Sequence, residues 1–178
     1  MSIPPCKTCD GKGKIRRQKT IEISVPAGID DDQILNVGGK GNAGSNGGPN
    51  GDLHVYITVR PHAIFTRRGN DVWCDMPITF TQAALGAEVT VPTLDGKVSY
   101  TVHEGTQPGD VFKLKGKGIQ NINGRGRGDQ YVRVTVEVPK NLSKRQKELL
   151  QEFEQNADEK NYQKRKSFFG KIKGMFED

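Results

Sequence analysis

Two stretches of this chain align without a gap. IEISVPAGIDDDQILNVGGKGNAGSNGGPNGDLHVYITV (21–59) lies over VSYTVHEGTQPGDVFKLKGKGIQNINGRGRGDQYVRVTV (98–136) at a constant shift of 77 residues. Val25 falls on Val102, Gly28 on Gly105, and Gly39-Lys40-Gly41 on Gly116-Lys117-Gly118. Gly51-Asp52 falls on Gly128-Asp129, and Val55, Thr58 and Val59 fall on Val132, Thr135 and Val136. A repeat this long limits the fold to two homologous units in tandem. Each parses alike: an alternating strand (Ile21, Ile23, Val25; Val98, Tyr100, Val102), a Gly-containing turn, a short strand (QILNV; VFKLK), a Gly-rich loop, and a Gly-Asp step into another alternating strand. Period-two alternation means one buried face and one wet face. The expected fold is therefore mostly β: two tandem homologous small β-sandwich or barrel-like domains, at 15–70 and 71–140, followed by a C-terminal helix. Twenty-two glycines suit that turn-rich reading.

Between the copies, Leu94-Asp95-Gly96 reads as a tight hairpin turn of the Asp-Gly type. TQAALG (81–86) reads as a short helix stopped by Gly86. Beyond the repeats Ser143 is positioned as a helix cap, with Gln146 three residues on. Leu149, Leu150 and Phe153 then form one apolar stripe over 141–156. That stripe either packs on the second domain or meets a copy of itself. In the basic tail, 157–178, Phe168, Phe169, Ile172, Met175 and Phe176 recur at helical spacing. Three readings stay open for it: an extra packing helix on a dimer, a disordered end, or a membrane-surface helix.

No run approaches the ~18–20 apolar residues of a membrane helix, and the first twenty residues hold no secretory apolar core. The net charge of +6 sits at the ends: residues 1–20 carry +5 and 157–178 carry +2, leaving −1 for 21–156. A nucleic-acid binder more often has a basic face on its folded body. Gly39-Lys40-Gly41-Asn42-Ala43-Gly44 matches Gly-x-Gly-x-x-Gly, but SNGGPNGD follows it and starts no helix, so it reads as a β-turn loop and not a dinucleotide site. There is no P-loop, no nucleophile elbow and no local Cys/His pair, so the chain is read as no enzyme. Asp30-Asp31-Asp32 reads as a solvated turn.

Residues 6–13 read CKTCDGKG. Two thiolates at this spacing grip one side of a Zn²⁺, but a structural site takes four ligands. The remaining Cys74 stands alone in a predicted strand, and His54, His62 and His103 are scattered. Cys6 and Cys9 are thus half a metal site, or a redox pair; Gly11 and Gly13 favour a knuckle over the helix N-terminus that redox chemistry prefers. Few cysteines, two of them in a metal-type pair, fit a reducing cytosol, so a cytoplasmic location is expected.

From about residue 5 to 156, and weakly through the tail, the chain closely resembles the C-terminal region of class A DnaJ proteins, the J-domain co-chaperones. Cys6–Gly13 resembles the fourth of that family's Cys-x-x-Cys-x-Gly-x-Gly motifs. RPHAIFTRRGNDVWCDMPITFTQAALGAEVTVPTLDG (60–96) is similar to the stretch joining its two substrate-binding domains, and GRGRGDQYVRVTVEVPKNLS (124–143) to the end of the second. The resemblance implies that residues 1–14 are the remnant of a zinc module, with MSIPP partly a start or vector remnant. Three of the four zinc motifs, the J domain with its His-Pro-Asp triplet, the Gly/Phe-rich linker and the leading stretch of the first domain are absent from this sequence. Zinc is implied for the full-length protein, and none or partial zinc here, with Cys6 and Cys9 pairing with the first motif. Unfolded polypeptides are implied as clients, adding as a strand to a sheet edge while Ile21, Ile23, Val25 and Phe65 line an apolar pocket. Ordinary core packing is the other reading of those four side chains. A homodimer through Leu149, Leu150 and Phe153 is implied, as is a DnaK-type partner, whose acidic end would meet Arg16, Arg17 and Lys19. Neither nucleic acid nor membrane is expected as a partner. A zinc or thiol enzyme and a basic nucleic-acid module remain the rivals; the second predicts a steep loss of binding with salt.

Overall fold

The computed structural model describes residues 6–9, 13, 15–45 and 47–175. Gly11, Phe176 and the opening MSIPP lie outside them. Eight strands and three α-helices follow in order: β1 Ile34–Val37, β2 Leu53–Tyr56, β3 Thr66–Arg68, β4 Asp71–Thr79, α1 Phe80–Leu85, β5 Ala87–Thr93, β6 Gly96–Val102, β7 Val111–Leu114, β8 Gln130–Glu137, α2 Lys144–Asn156 and α3 Gln163–Met175, with a one-turn 3-10 helix at Glu159–Asn161. The protein is mostly sheet, in three small sheets: β1-β2, β3-β4-β8-β7 and β5-β6. It divides into two compact units, Met1–Val136 and Glu137–Asp178.

The repeat recurs bond for bond. Asp52 Oδ1 accepts the Gly39 N–H at 2.8 Å, and 77 residues later Asp129 Oδ1 accepts the Gly116 N–H at 2.7 Å. The Gly41 N–H reaches the Gly51 carbonyl at 2.7 Å, and the Gly118 N–H reaches the Gly128 carbonyl at 2.8 Å. The Ile57 N–H meets the Gln33 carbonyl at 2.9 Å, and the Val134 N–H meets the Asp110 carbonyl at 2.8 Å. The aspartate of each Gly-Asp step thus clasps the Gly-Lys-Gly turn and closes the Gly-rich loop between two short strands. Gly118 has to be glycine: a Cβ there would stand 2.5 Å from Gly128 C and 2.6 Å from the Asn70 carbonyl. Gly28, at φ 90°, lies under the other copy's loop, where a Cβ would stand 2.0 Å from the Gln120 carbonyl. The copies therefore touch through bare backbone. Arg67 holds the same turn from the other side, donating to the Ile29 and Gly28 carbonyls at 2.7 and 2.9 Å and pairing with Asp30 at 3.3 Å.

The buried core lies within residues 72–134, built by the second copy together with the stretch that joins the copies. Alternation turns Val72, Cys74, Met76 and Ile78 of β4 inward, beside Val132 and Val134 of β8, and Val91, Val102 and Ala83 close over them. Each such aliphatic side chain removed from water contributes roughly 1.5–3 kcal/mol. Pro77 is tolerated in β4 because β3 pairs only with Asp71, Val72 and Trp73. Gln130 is fully buried, and its Nε2 donates to the Pro92 carbonyl at 2.8 Å, tying the β5-β6 hairpin to the four-stranded sheet. On the outer face Trp73 stacks on Tyr131 at 4.8 Å, with Arg68 4.6 Å above the indole.

Two sequence expectations are corrected. The strand expected at Ile21, Ile23 and Val25 is absent: residues 15–26 belong to no strand. Their equivalent, β6, is a strand because it pairs with β5 over its whole length. The residues 77 before β5 are DGKGKIR (10–16), which offer no alternating apolar face. Among the described residues no first-copy side chain is buried, and Ile34, Tyr56 and Val59 stand exposed. The hairpin turn is also shifted. Thr93 pairs with Gly96, so the two loop residues are Leu94-Asp95. Thr93 Oγ1 fastens that loop, donating to the Gly96 carbonyl at 3.0 Å and accepting from the Asp95 N–H at 3.2 Å. The expected helices form: Thr79 caps α1 and Gly86 ends it, and Ser143 with Gln146 makes a full capping box on α2.

Trp73, the one tryptophan, reports unfolding of this sheet. Gly118→Ala is expected to lower stability by about 1–3 kcal/mol in urea titrations followed by its fluorescence, because backbone has to give way. Gly170→Ala in α3, whose methyl meets nothing, leaves that midpoint unchanged. The Asp95 carboxyl is held below the usual carboxylate range, chiefly by the hydrogen bond from Arg127 with Lys117 adding. The folded state therefore favours its ionised form. That contribution is present above the ordinary carboxylate value near ~4 and is lost as pH falls through the lower folded value. Asp95→Asn should lower the unfolding midpoint at pH 7, and the difference from wild type should close below about pH 4.

Candidate functional site

In the second copy, β6, β7 and β8 enclose a cleft of about 280 Å³. Its walls are Tyr100 and Val102 from β6, Phe112 from β7 and Val134 from β8. The Tyr100 and Phe112 rings stack 3.7 Å apart and within 6° of parallel, so the wall is flat, aromatic and half-buried. Its rim is polar: His103, Thr106 and Asp110. The Thr106 hydroxyl donates to the His103 carbonyl at 2.6 Å, and Asp110 Oδ2 accepts the Gln107 N–H at 2.8 Å, so the rim is held by its own turn. β7 is the last strand of its sheet, which puts an edge beside an apolar hollow. Such a pairing suits an extended chain: backbone bonds along the edge, one bulky side chain in the hollow.

The sequence reading did not single out this cleft, although its signal was there. Shifted by 77, Ile23 becomes Tyr100, Val25 becomes Val102, Leu35 becomes Phe112 and Ile57 becomes Val134. In the first copy two of these positions, Ile23 and Val25, stand open, while Leu35 and Ile57 are half-buried. Ile21 is half-buried, Ile23 is 37% exposed and Val25 54% exposed, all on the irregular segment before the first turn. Phe65 packs against the buried cluster, its ring 5.0 Å from His62. His62 Nδ1 accepts the N–H groups of Ile64 and Phe65 at 3.1 and 3.3 Å and fixes that bend. Ile21, Ile23 and Val25 are thus neighbours along one segment, while Phe65 belongs to the run leading into β3.

Cys6 and Cys9 lie on one turn, closed by the Cys9 N–H to the Cys6 carbonyl at 3.3 Å. Backbone N–H groups of Thr8 and Cys9 bond the Cys6 sulfur and hold its thiol below the ordinary cysteine value. That is a knuckle whose two sulfurs suit two of a zinc ion's four ligands. Among the described residues no three His, Cys, Asp or Glu gather into a metal-sized group. Cys74 is buried, its thiol pushed up by desolvation, with Gln130 Nε2 3.5 Å from the sulfur.

In the C-terminal unit Leu149, Leu150 and Phe153 are exposed on α2, at 48%, 39% and 48%. Leu149 and Phe153 are four apart, Leu150 and Phe153 three apart, so all three share a face. α3 is joined to what precedes it by exposed ion pairs, Arg165–Glu154 at 3.8 Å and Lys166–Glu159 at 3.3 Å. Phe168 and Phe169 meet edge-on at 5.7 Å and are both exposed. Arg16, Arg17 and Lys19 are exposed as well. No helix among the described residues is long and apolar enough to cross a membrane.

Comparison with known proteins gives a consistent answer. The family model described as DnaJ C terminal domain matches residues 7–139, and that described as Chaperone protein DnaJ C-terminal region matches 145–178. The chain is similar to the Chaperone protein DnaJ of Ruminiclostridium cellulolyticum, 59% identical over 96% of this chain and 49% of that protein. The Acetivibrio thermocellus protein of the same name is 53% identical over 95% and 44% of the two lengths. That of Clostridioides difficile is 55% identical over 90% and 42%. The chain spans about half the length of these relatives.

The environments of the three thiols predict their reactivity. At pH 7 iodoacetamide should modify Cys6 first, and Cys74 only once denaturant is added, with peptide mass spectrometry reading each site. Equal rates at Cys6 and Cys74 without denaturant would contradict the placement of Cys74 in the core.

Proposed function

Because this chain belongs to the DnaJ C-terminal domain family, we propose that it binds unfolded polypeptide clients as the C-terminal part of a co-chaperone that passes them to a DnaK-type chaperone. One observation carries this reading. The repeat builds the same apolar positions twice, and in the second copy they form an aromatic-walled cleft beside an edge strand. An edge and a hollow recognise exposed backbone and one large side chain and ignore sequence, which is the chemistry a general client binder needs. Ile21, Ile23, Val25 and Phe65 are the client-facing candidates of the first of the two proposed β domains, 15–70, with 71–140 as the second.

Leu149, Leu150 and Phe153 are proposed as the dimer contact. Two weak client sites on one dimer raise the effective concentration of a tethered client, so affinity grows without any new contact. Cys6 and Cys9 are proposed as half of a zinc site, whose other thiolates come from outside the described residues. Zinc there would cross-link chain segments, and the cysteine pair contributes two thiolates already held at one turn. Arg16, Arg17 and Lys19 are candidates for meeting an acidic segment of the DnaK-type partner. The reading includes a cytoplasmic location and no catalytic activity of the chain's own.

Light scattering and fluorescence anisotropy with an apolar, labelled peptide test this together. The parent is expected to have twice the chain mass and to bind, whereas Leu150→Asp is expected to be monomeric and to bind a single-site peptide unchanged but a two-site client roughly 10–100-fold more weakly. A monomeric parent would remove the dimer, and a parent that leaves the peptide unbound would remove the client reading.

A further inference from the structure

The turn before each short strand is closed twice by the same kind of bond, although its residues differ, Asp30-Asp31-Asp32-Gln33 in the first copy and Gln107-Pro108-Gly109-Asp110 in the second. In the first copy Gln33 Oε1 accepts the Asp30 N–H at 3.1 Å; in the second, Asp110 Oδ2 accepts the Gln107 N–H at 2.8 Å. Around them the backbone is the same: the Asp32 N–H meets the Ile57 carbonyl, and the Gly109 N–H meets the Val134 carbonyl. A neutral amide is therefore enough to close this turn. The negative charge of Asp110 is surplus to the fold, and it stands on the rim of the cleft walled by Tyr100 and Phe112. The nearby cations of β7 and β8 are engaged elsewhere, Lys113 with Asp129 at 3.3 Å and Arg133 with Asp75 at 2.7 Å.

We propose that Asp110 sets the ligand preference of the second-copy cleft, selecting extended segments that carry a lysine or arginine next to the bulky apolar side chain. This rests on the client-binding reading above. An edge strand and an aromatic wall accept any bulky apolar segment, so discrimination falls to Asp110, the carboxylate among the residues that line the cleft. A single partly exposed ion pair supports a modest effect, about three- to fivefold.

The test uses the isotope-labelled chain and two peptides with one Leu-Phe-Leu centre, flanked by lysines or by glutamates, at matched ionic strength. Amide shifts of Val111 and Phe112 read occupancy of this cleft alone. The lysine-flanked peptide is expected to bind about three- to fivefold tighter, with the ratio shrinking as salt is raised. Asp110→Asn keeps the acceptor for the Gln107 N–H and should bring the two peptides to parity. Asp110→Gln, the side chain the first copy already uses, should do the same. An unchanged ratio in both variants, or no preference in the wild type while both peptides shift Val111 and Phe112, overturns the role of Asp110 and leaves client binding standing. Absence of shifts with either peptide overturns the client reading at this cleft, and the inference with it.

Discussion

A β-strand owes half of its backbone hydrogen bonds to a neighbour, and in this protein the neighbour that matters is β5. Paired with it from Ala87 to Thr93, the segment Gly96–Val102 is a strand, and its inward face closes over β4 and β8. Every buried side chain of the described residues lies between Val72 and Val134, in the copy that has this partner or in the stretch leading to it, and none lies in the other copy. The other copy has nearly the same apolar pattern and the same clasped loop, yet its alternating segment is left without a ladder. Local pattern is not enough; the backbone groups of 15–26 need somewhere to go.

That difference explains how far the fold was legible beforehand. The repeat, the short strands at QILNV and VFKLK, α1 and the capped α2 rest on chemistry carried within a few residues: alternation, a Gly at positive φ, a Ser three residues before a Gln. The strand at Ile21–Val25 failed as an expectation because pairing is a relation between distant segments, and its own residues look as strand-like as those of β6. Gln130 was equally illegible. It reads as one polar residue at the head of an alternating run, and only its contact with Pro92, 38 positions away, explains its burial. The Asp95–Arg127 pair, 32 positions apart, is of the same kind.

The candidate site was half legible. The family resemblance points to Ile23 and Val25, which stand open, and the cleft lies at their counterparts, Tyr100 and Val102. The larger aromatic ring at 100 and the stacked Phe112 make a hollow where Ile and Leu at the matching places do not. The repeat thus works as an internal control, because positions that agree between copies point to the fold and positions that differ point to use. Asp52 and Asp129 agree and clasp a turn; Gln33 and Asp110 differ and leave one charge without a structural task.

The glycine contacts between the copies carry a consequence for how such a chain can change over time. Gly28 sits against the Gln120 carbonyl, and Gly118 against the Asn70 carbonyl, with no room for a methyl group. The duplicated halves therefore share a seam and are not beads on a string. A spacer inserted near Gly69-Asn70 would open that seam and undo both halves' loops. The long Gly-rich loop near Gly47-Gly48 faces solvent, and there length can drift freely. The duplicated halves are thus held together along backbone, which leaves the loop tips and the cleft linings as the places open to divergence.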